Sequence, residues 1–424
     1  MKSWNRHCSR VGMVVALAAP CMAGAADLKA VTGAFSESKP IFDARLRYEA
    51  VDQTPMVEEA DAETLRVRLG FETGKAWNTS FLAEGEFVTE LDGSYRDDNA
   101  MARDVSYPMV PDPDAEEINR LQLVNTSLPG TTVTLGRQRI NLDDQRFIGN
   151  VGWRQNEQTY DAVRIVNKPG PLPALTLDMT YLNQVNRIFG PDSPQGRWEG
   201  EGLLANAAYQ FGVGKLTGFG YRLDFDPITR VPAGLNPIRQ SNETYGLRFA
   251  GERPLSKFKL GYAASYAEQS DYGTSPLDFD LGYYSLEATA TYRQYSLTLG
   301  NEVMEGNGAV GFMTPLATMH RFHGWADKFL ATPVNGIDDR YASVGYLVKG
   351  VGKLDTLSAT VVYRDLQSER LSIDLGYEVD LQLQAKYQRF VMLLKYAYYD
   401  ASEGETPVAY QDTKKLWAQL EYVW

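Results

Sequence analysis

Cysteine, histidine and long apolar runs are what this 424-residue chain has least of. Its two cysteines, Cys8 and Cys21, both lie near the N-terminus. The rest of the chain therefore offers neither a disulfide framework nor a cysteine-ligated metal. Beyond residue 25 no stretch approaches the roughly twenty apolar residues that a membrane-spanning helix needs, so a helical membrane protein is excluded. Positive charge is also short: the formal net charge is −12, which argues against nucleic acid as a partner. Only three histidines are present. Two of them, His320 and His323, form a His-x-x-His pair with no nearby cysteine or glutamate to complete a metal site, so neither metal nor cofactor is expected.

What is abundant is aromatic residues and glycine, with 25 Tyr, 17 Phe, 7 Trp and 37 Gly. Aromatics pack well on pleated surfaces, and glycine serves turns and close backbone approach. The first residues read as an export leader: Lys2, Arg6 and Arg10 precede an apolar stretch from Val11 to Ala19 and a small-residue cleavage site at Ala23-Gly24-Ala25. The expected division is a leader over residues 1–25, a short periplasmic segment over 26–39, and one barrel domain over 40–424. Cleavage would remove three basic residues and no acidic one, leaving the mature chain more acidic still.

From Pro40 onward, segments of alternating polarity follow one another. Leu65, Val67, Leu69 and Phe71 share one face while Arg66 and Arg68 share the other. The same alternation runs from Tyr377 to Tyr387, with aromatics closing both ends of an aliphatic band. A strand lying between lipid and water needs this pattern. About eighteen such segments fit the chain, the first over 40–50 and the last over 411–424, with others at 76–90, 131–141 and 157–167. Connections after even-numbered segments are short, such as Gly74-Lys75. Those after odd-numbered segments are mostly longer, the longest running from 305 to 337. Short turns alternating with long loops characterise transmembrane β-barrels and put both termini in the periplasm. The expected fold is therefore all-β: a transmembrane antiparallel barrel in the outer membrane of a Gram-negative bacterium, surrounded by its lipid. The last strand ends on Trp424, where the barrel assembly machinery would read it.

Selectivity in such a channel needs charged side chains at the narrowest part of a wet pore. The densest candidates lie between Gly136 and Arg164: Arg137, Arg139, Asp144, Arg146, Arg154 and Arg164. Arg137 and Arg139 share parity with the apolar Val133 and Leu135. A bulge near Gly136, or departure of the strand from the lipid band, would be required to turn them inward. Parity elsewhere places Arg45, Arg47, Arg66, Arg68, Glu84, Glu86, Asp178, Arg222 and Arg248 toward the lumen, with Arg66 and Arg68 beside Glu84 and Glu86 as a wall network. The 305–337 connection, with Phe312, Phe322, Trp325 and Phe329, is too apolar for a freely solvated loop. Folded into the barrel, it would present Arg321, Asp327 and Lys328 to the pore.

The stretch Leu135-Gly-Arg-Gln-Arg-Ile, the run from Asp144 to Val163, and the segment from Thr314 to Pro333 resemble the signature of the alginate-export family of outer-membrane proteins. The resemblance implies an eighteen-stranded barrel with an arginine-rich constriction that passes an anionic polysaccharide. The resulting expectation is a passive channel, not an enzyme, for an acidic poly- or oligosaccharide or another small anionic solute. A general or nutrient-uptake porin is the main alternative. An outer-membrane lipid hydrolase is a third reading, and would need a Ser-His pair on the lipid-facing wall.

Overall fold

The computed structural model describes residues 25–98, 105–229, 231–402 and 410–424. The proposed leader lies outside the described residues except for Ala25, where a short helix α1 (Ala25–Ser36) begins. Eighteen strands follow: β1 (Lys39–Gln53), β2 (Ala60–Glu72), β3 (Thr79–Ser94), β4 (Ala115–Asn125), β5 (Thr131–Gln138) and β6 (Thr159–Asn167). Next come β7 (Leu175–Asn186), β8 (Arg197–Phe211), β9 (Gly214–Phe225), β10 (Asn242–Leu255), β11 (Phe258–Asp271) and β12 (Asp280–Tyr292). The last six are β13 (Tyr295–Met304), β14 (Ile337–Val351), β15 (Leu354–Gln367), β16 (Asp374–Tyr387), β17 (Phe390–Asp400) and β18 (Thr413–Val423).

Each strand pairs antiparallel with its neighbours in sequence, and β18 closes on β1 from Asp43↔Val423 to Gln53↔Thr413. Closure leaves the sheet without a free edge strand, although β4 meets β5 only from Leu121 to Asn125. Alternation then sorts the side chains. On β18, Leu416 and Leu420 are exposed on the outside while Lys415 and Trp417 are buried inside. The outward apolar belt continues through Leu46, Leu69, Leu135, Ile165, Leu247, Leu299 and Leu383. An apolar belt around a closed barrel with a polar, charged interior is the surface of a membrane-embedded barrel.

Two strand ends differ from the sequence reading for identifiable reasons. The first short turn is not Gly74-Lys75: Trp77 and Asn78 both have positive φ, at 50° and 59°, and Ala76 bonds Thr79 in both directions across them. Two consecutive left-handed residues make the tight hairpin, and β3 starts only after it. β5 stops at Gln138 rather than 141. Gly136 sits at φ +111°, where an added Cβ would lie 2.3 Å from the Leu121 carbonyl oxygen, so the position needs glycine two residues before the strand ends. The segment expected to lie in the periplasm is mostly helical, with Ala34 accepting from the Gly74 N–H at 2.9 Å and Phe35 against Phe71.

The barrel core lies inside the lumen. The 139–158 and 305–336 connections turn inward and pair with each other: Gly149 donates to the Leu316 carbonyl at 2.8 Å and Thr318 to that of Gln145 at 3.1 Å.

Candidate functional site

The inner wall of β1 and β2 carries Arg45, Arg47, Arg66 and Arg68, all buried. Arg45 lies directly opposite Arg66 in the register, an arrangement that repels unless counter-charge intervenes. Glu421 on β18 supplies it, 2.9 Å from both guanidinium groups. Asp43 also holds Arg66, and Glu86 holds Arg68. Arg47 reaches Asp112 at 3.3 Å and Gln419 at 2.7 Å. Every one of the four thus has a carboxylate partner, while Nε and Nη1 of Arg66 and Nη2 of Arg68 stay buried without a hydrogen-bond acceptor.

The 139–158 connection crosses the lumen and touches wall after wall. At its start, Asp143 accepts from Lys215 at 2.8 Å and Asn206 at 3.1 Å, and Asp144 pairs with Arg248 at 2.9 Å. Arg146 then holds Glu302 at 2.6 Å on β13. Further along, the Trp153 carbonyl accepts from Arg47 at 2.6 Å. Arg154 binds Glu49 at 2.8 Å and Asp327 at 3.1 Å. Glu157 closes the crossing, meeting Arg139, Arg68 at 3.5 Å and Asn119 at 2.6 Å. Burial alone would raise the Glu157 carboxyl, but Arg68 and Arg139 outweigh it and hold the group down at about 2.

The 305–336 connection packs alongside. Phe312 is fully buried against Tyr283 and Phe147. At the other end, His320 stacks on Trp153 at 4.4 Å. Its Nδ1 lies 2.7 Å from Asp327, and its Nε2 lies 2.6 Å from the Lys395 ammonium. Burial, with Lys395 and Arg154 close by, pulls the imidazole down to about 3 against the pull of Asp327. The ring is therefore neutral, donating to Asp327 and accepting from Lys395. Lys395 is also 3.7 Å from the Trp325 ring and 4.3 Å from that of Trp153. One ammonium thus ties β17 to both inward connections through cation–π contact. Asp327 adds Lys415 at 2.9 Å.

His323, Glu302 and Asp339 bring their ligand atoms within 4.8 Å of one another, all buried. Three such donors suit a divalent cation. Here, however, Arg146 lies 2.8 Å from His323 Nε2 and holds Glu302, while Arg364 holds Asp339 at 2.5 Å. Two guanidinium groups occupy the positions and supply the charge that a metal would.

Of the arginines and acids singled out from sequence, Arg66, Arg68, Glu84, Glu86, Arg139, Asp144, Arg146, Arg154 and Asp327 meet in this interior network. Arg139 enters it past the end of β5, reaching Glu84 at 3.1 Å. Arg137 does not: it stays opposite Asp161 in the alternation of the exposed Leu135 and Ile165, bound to that carboxylate at 2.7 Å. Arg164 and Asp178 form a separate wall pair at 2.5 Å. Arg321 lies at the exposed side of its loop, donating to the Asp144 carbonyl at 3.2 Å. Lys328 is partly buried, and burial with Lys415 nearby lowers it to about 8. Arg222 faces outward, a correction to its expected place. On β9 the inner face belongs to Thr217, Phe219, Tyr221 and Leu223, leaving Arg222 to Glu243 and Tyr245 outside. Lys395 and Lys415 were legible from strand parity but not singled out. Asp112 and Arg187 sit in connections with no pattern to announce them.

Where the long connections meet, a cavity of about 530 Å³ opens, with Arg154, Gln158, Arg187, Trp198, Phe312 and His320 among its walls.

No protein-family model and no curated protein matches the chain, so the alginate-export resemblance gains no support from either. Solved structures do match. The outer-membrane protein OpdK of Pseudomonas aeruginosa superposes with a TM-score of 0.67 at 14% identity, covering 92% of this chain and 100% of that one. OccK3 (OpdO) of the same organism gives 0.66 at 13% identity over 94% and 98%. OpdK solved with vanillate gives 0.64 at 14% identity over 92% and 100%. At this identity the likeness is one of fold: the eighteen-stranded barrel of outer-membrane porins.

Proposed function

We propose that this chain is a passive outer-membrane channel for small hydrophilic solutes, with a preference for organic anions. The observation that carries the reading is the crossed lumen. Two inward connections are anchored to both sides of the barrel and narrow it around a wall of buried arginines. A constriction built from charged groups at close quarters is how such channels select. Arginine's permanent charge and forked donors suit a carboxylate. Vanillate, the solute in one neighbour in fold, belongs to that size and class.

Export of an acidic polysaccharide, the finer expectation from sequence, is the weaker reading. A polymer needs a bore that stays open along its length, whereas Phe312, Leu316 and Phe329 pack the interior with at most 3% exposure. The lipid-hydrolase reading has no support in the geometry. His320 and His323 both point inward and are held by Asp327, Lys395, Arg146 and Asp339. Outer-membrane residence follows from the apolar belt, and recognition of the strand ending in Trp424 by the assembly machinery stays part of the proposal.

The test is conductance of the purified protein in planar bilayers, with the reversal potential read in a potassium chloride gradient. Discrete channels with a reversal potential on the anion side are expected. A strong cation preference overturns the anionic part, and silence in the bilayer overturns the channel.

A further inference from the structure

Among the guanidinium groups that line the interior, Arg187 stands apart. It follows the last residue of β7, and its backbone is used in the turn, donating to the Gly196 carbonyl at 2.8 Å. Its side chain has no such use. Nε and Nη1 are shut from solvent without an acceptor, and no ion pair is made among the described residues. The guanidinium lies over the Trp198 ring at 3.9 Å and near that of Phe189 at 5.1 Å. The indole Nε1 of Trp198, itself buried, likewise has no acceptor. Asp98 is the carboxylate that acts on Arg187 through space, and it accepts from Ser193. Burial consequently lowers Arg187 to about 10.

Enclosed donors without acceptors are costly, and the two residues that carry these three, Arg187 and Trp198, both line one cavity. The cavity's lining is mostly apolar, with Ile188, Phe189, Leu235 and Phe312 beside them, and Gln195, Arg239 and Gln240 among its polar members. A strongly hydrated small anion gains the charge contact but loses its water to an apolar wall. An anion with an apolar body gains on both counts. Arg154 and His320 at another wall of the same cavity lead on to the interior network.

We propose that Arg187 and the Trp198 indole form a docking subsite for the carboxylate of an apolar organic anion, in the cavity at the long-loop end of the barrel and ahead of the arginine wall. As a step in uptake the subsite rests on the channel reading, but its binding does not. Equilibrium dialysis of the purified full-length protein in detergent, with radiolabelled benzoate as probe and acetate as competitor at neutral pH, tests it directly. Benzoate binding that acetate competes for at least tenfold more weakly is expected. Arg187→Gln weakens benzoate by about tenfold to a hundredfold, the range of a charge-assisted hydrogen bond. Trp198→Phe, which keeps the ring and removes the donor, weakens it by less. Heat-dependent gel mobility reports whether each variant keeps its barrel, and Arg187→Lys serves if the glutamine variant does not fold. Benzoate held no better than acetate, or held equally by folded Arg187 and Trp198 variants, overturns the proposal. Loss of conduction with Arg187-dependent binding intact overturns the channel reading alone.

Discussion

The two inner walls of this barrel solve the same problem by different physics. Around β9 and β12 the lumen side is aromatic: Phe147 from the 139–158 connection lies 5.0 Å from Phe219 and 5.3 Å from Tyr283, and Phe312 joins them. Around β1, β2 and β18 the lumen side is ionic, with Arg154, Asp327 and Glu157 of the loops meeting Glu49, Lys415 and Arg68 of the wall. Each inward connection has one foot on each wall. The aromatic foot is stabilised by area removed from water, which is non-directional and offers no charge for salt to screen. The ionic foot derives little net stability from its pairs. Breaking one is costly because it strands a buried charge. A channel held this way has a firm side and a side that responds to pH and to charge.

Four measurements sharpen or break that contrast. Phe312→Ala, on the aromatic side, is expected to lower denaturation stability by about 3–5 kcal/mol, equally in low and high salt. Asp327→Asn strands Lys415, leaves Arg154 to Glu49, and replaces the charged acceptor of His320 with a neutral amide oxygen. It is expected to cost about 3 kcal/mol and to add flicker to single-channel currents, as the loop leaves the ionic wall. A salt-dependent loss in the first variant, or quiet currents in the second, would erase the distinction.

The third measurement is acidification. His320 is neutral in the folded barrel, with its ordinary value of 6.5 lowered to about 3, so the released loop binds a proton that the docked loop does not. Docking is therefore fully favoured above pH 6.5 and weakens as pH falls toward 3. Glu157, lowered from 4.5 to about 2, acts in the same direction between those values. Open-channel noise should rise on acidification through this window, and His320→Gln should remove the upper part of the change. Noise that instead grows above pH 7 would contradict the assignment. The smallest effect is expected for Lys215→Met: its exposed ammonium holds Asp143 at 2.8 Å, and its loss should cost less than about 1 kcal/mol.

Much of the charged wall was legible in sequence because parity places Arg66, Arg68, Glu84 and Glu86 on one side of strands whose other side is aliphatic. The aromatic wall was not. Alternation gives a strand two faces without saying which one is inside, and on β9 the aromatic residues that suggest a lipid girdle face the lumen while Arg222 faces out. Arg137 and Arg139 show the same limit at a strand end. Two residues apart, they share a parity, yet the chain's departure after Gln138 puts one in the network and leaves the other on the wall.

What the sequence by itself determined is the barrel: the number of strands, their alternation and the rhythm of short and long connections. All of these are local, period-two properties that need no knowledge of distant contacts. The tertiary structure alone decided which charges cancel and which remain. Asp112 on Arg47 and Lys395 on His320 each depend on a connection that reaches residues far away in the chain. Pairing of that kind is set by where folded loops come to rest, and composition or spacing carries no record of it.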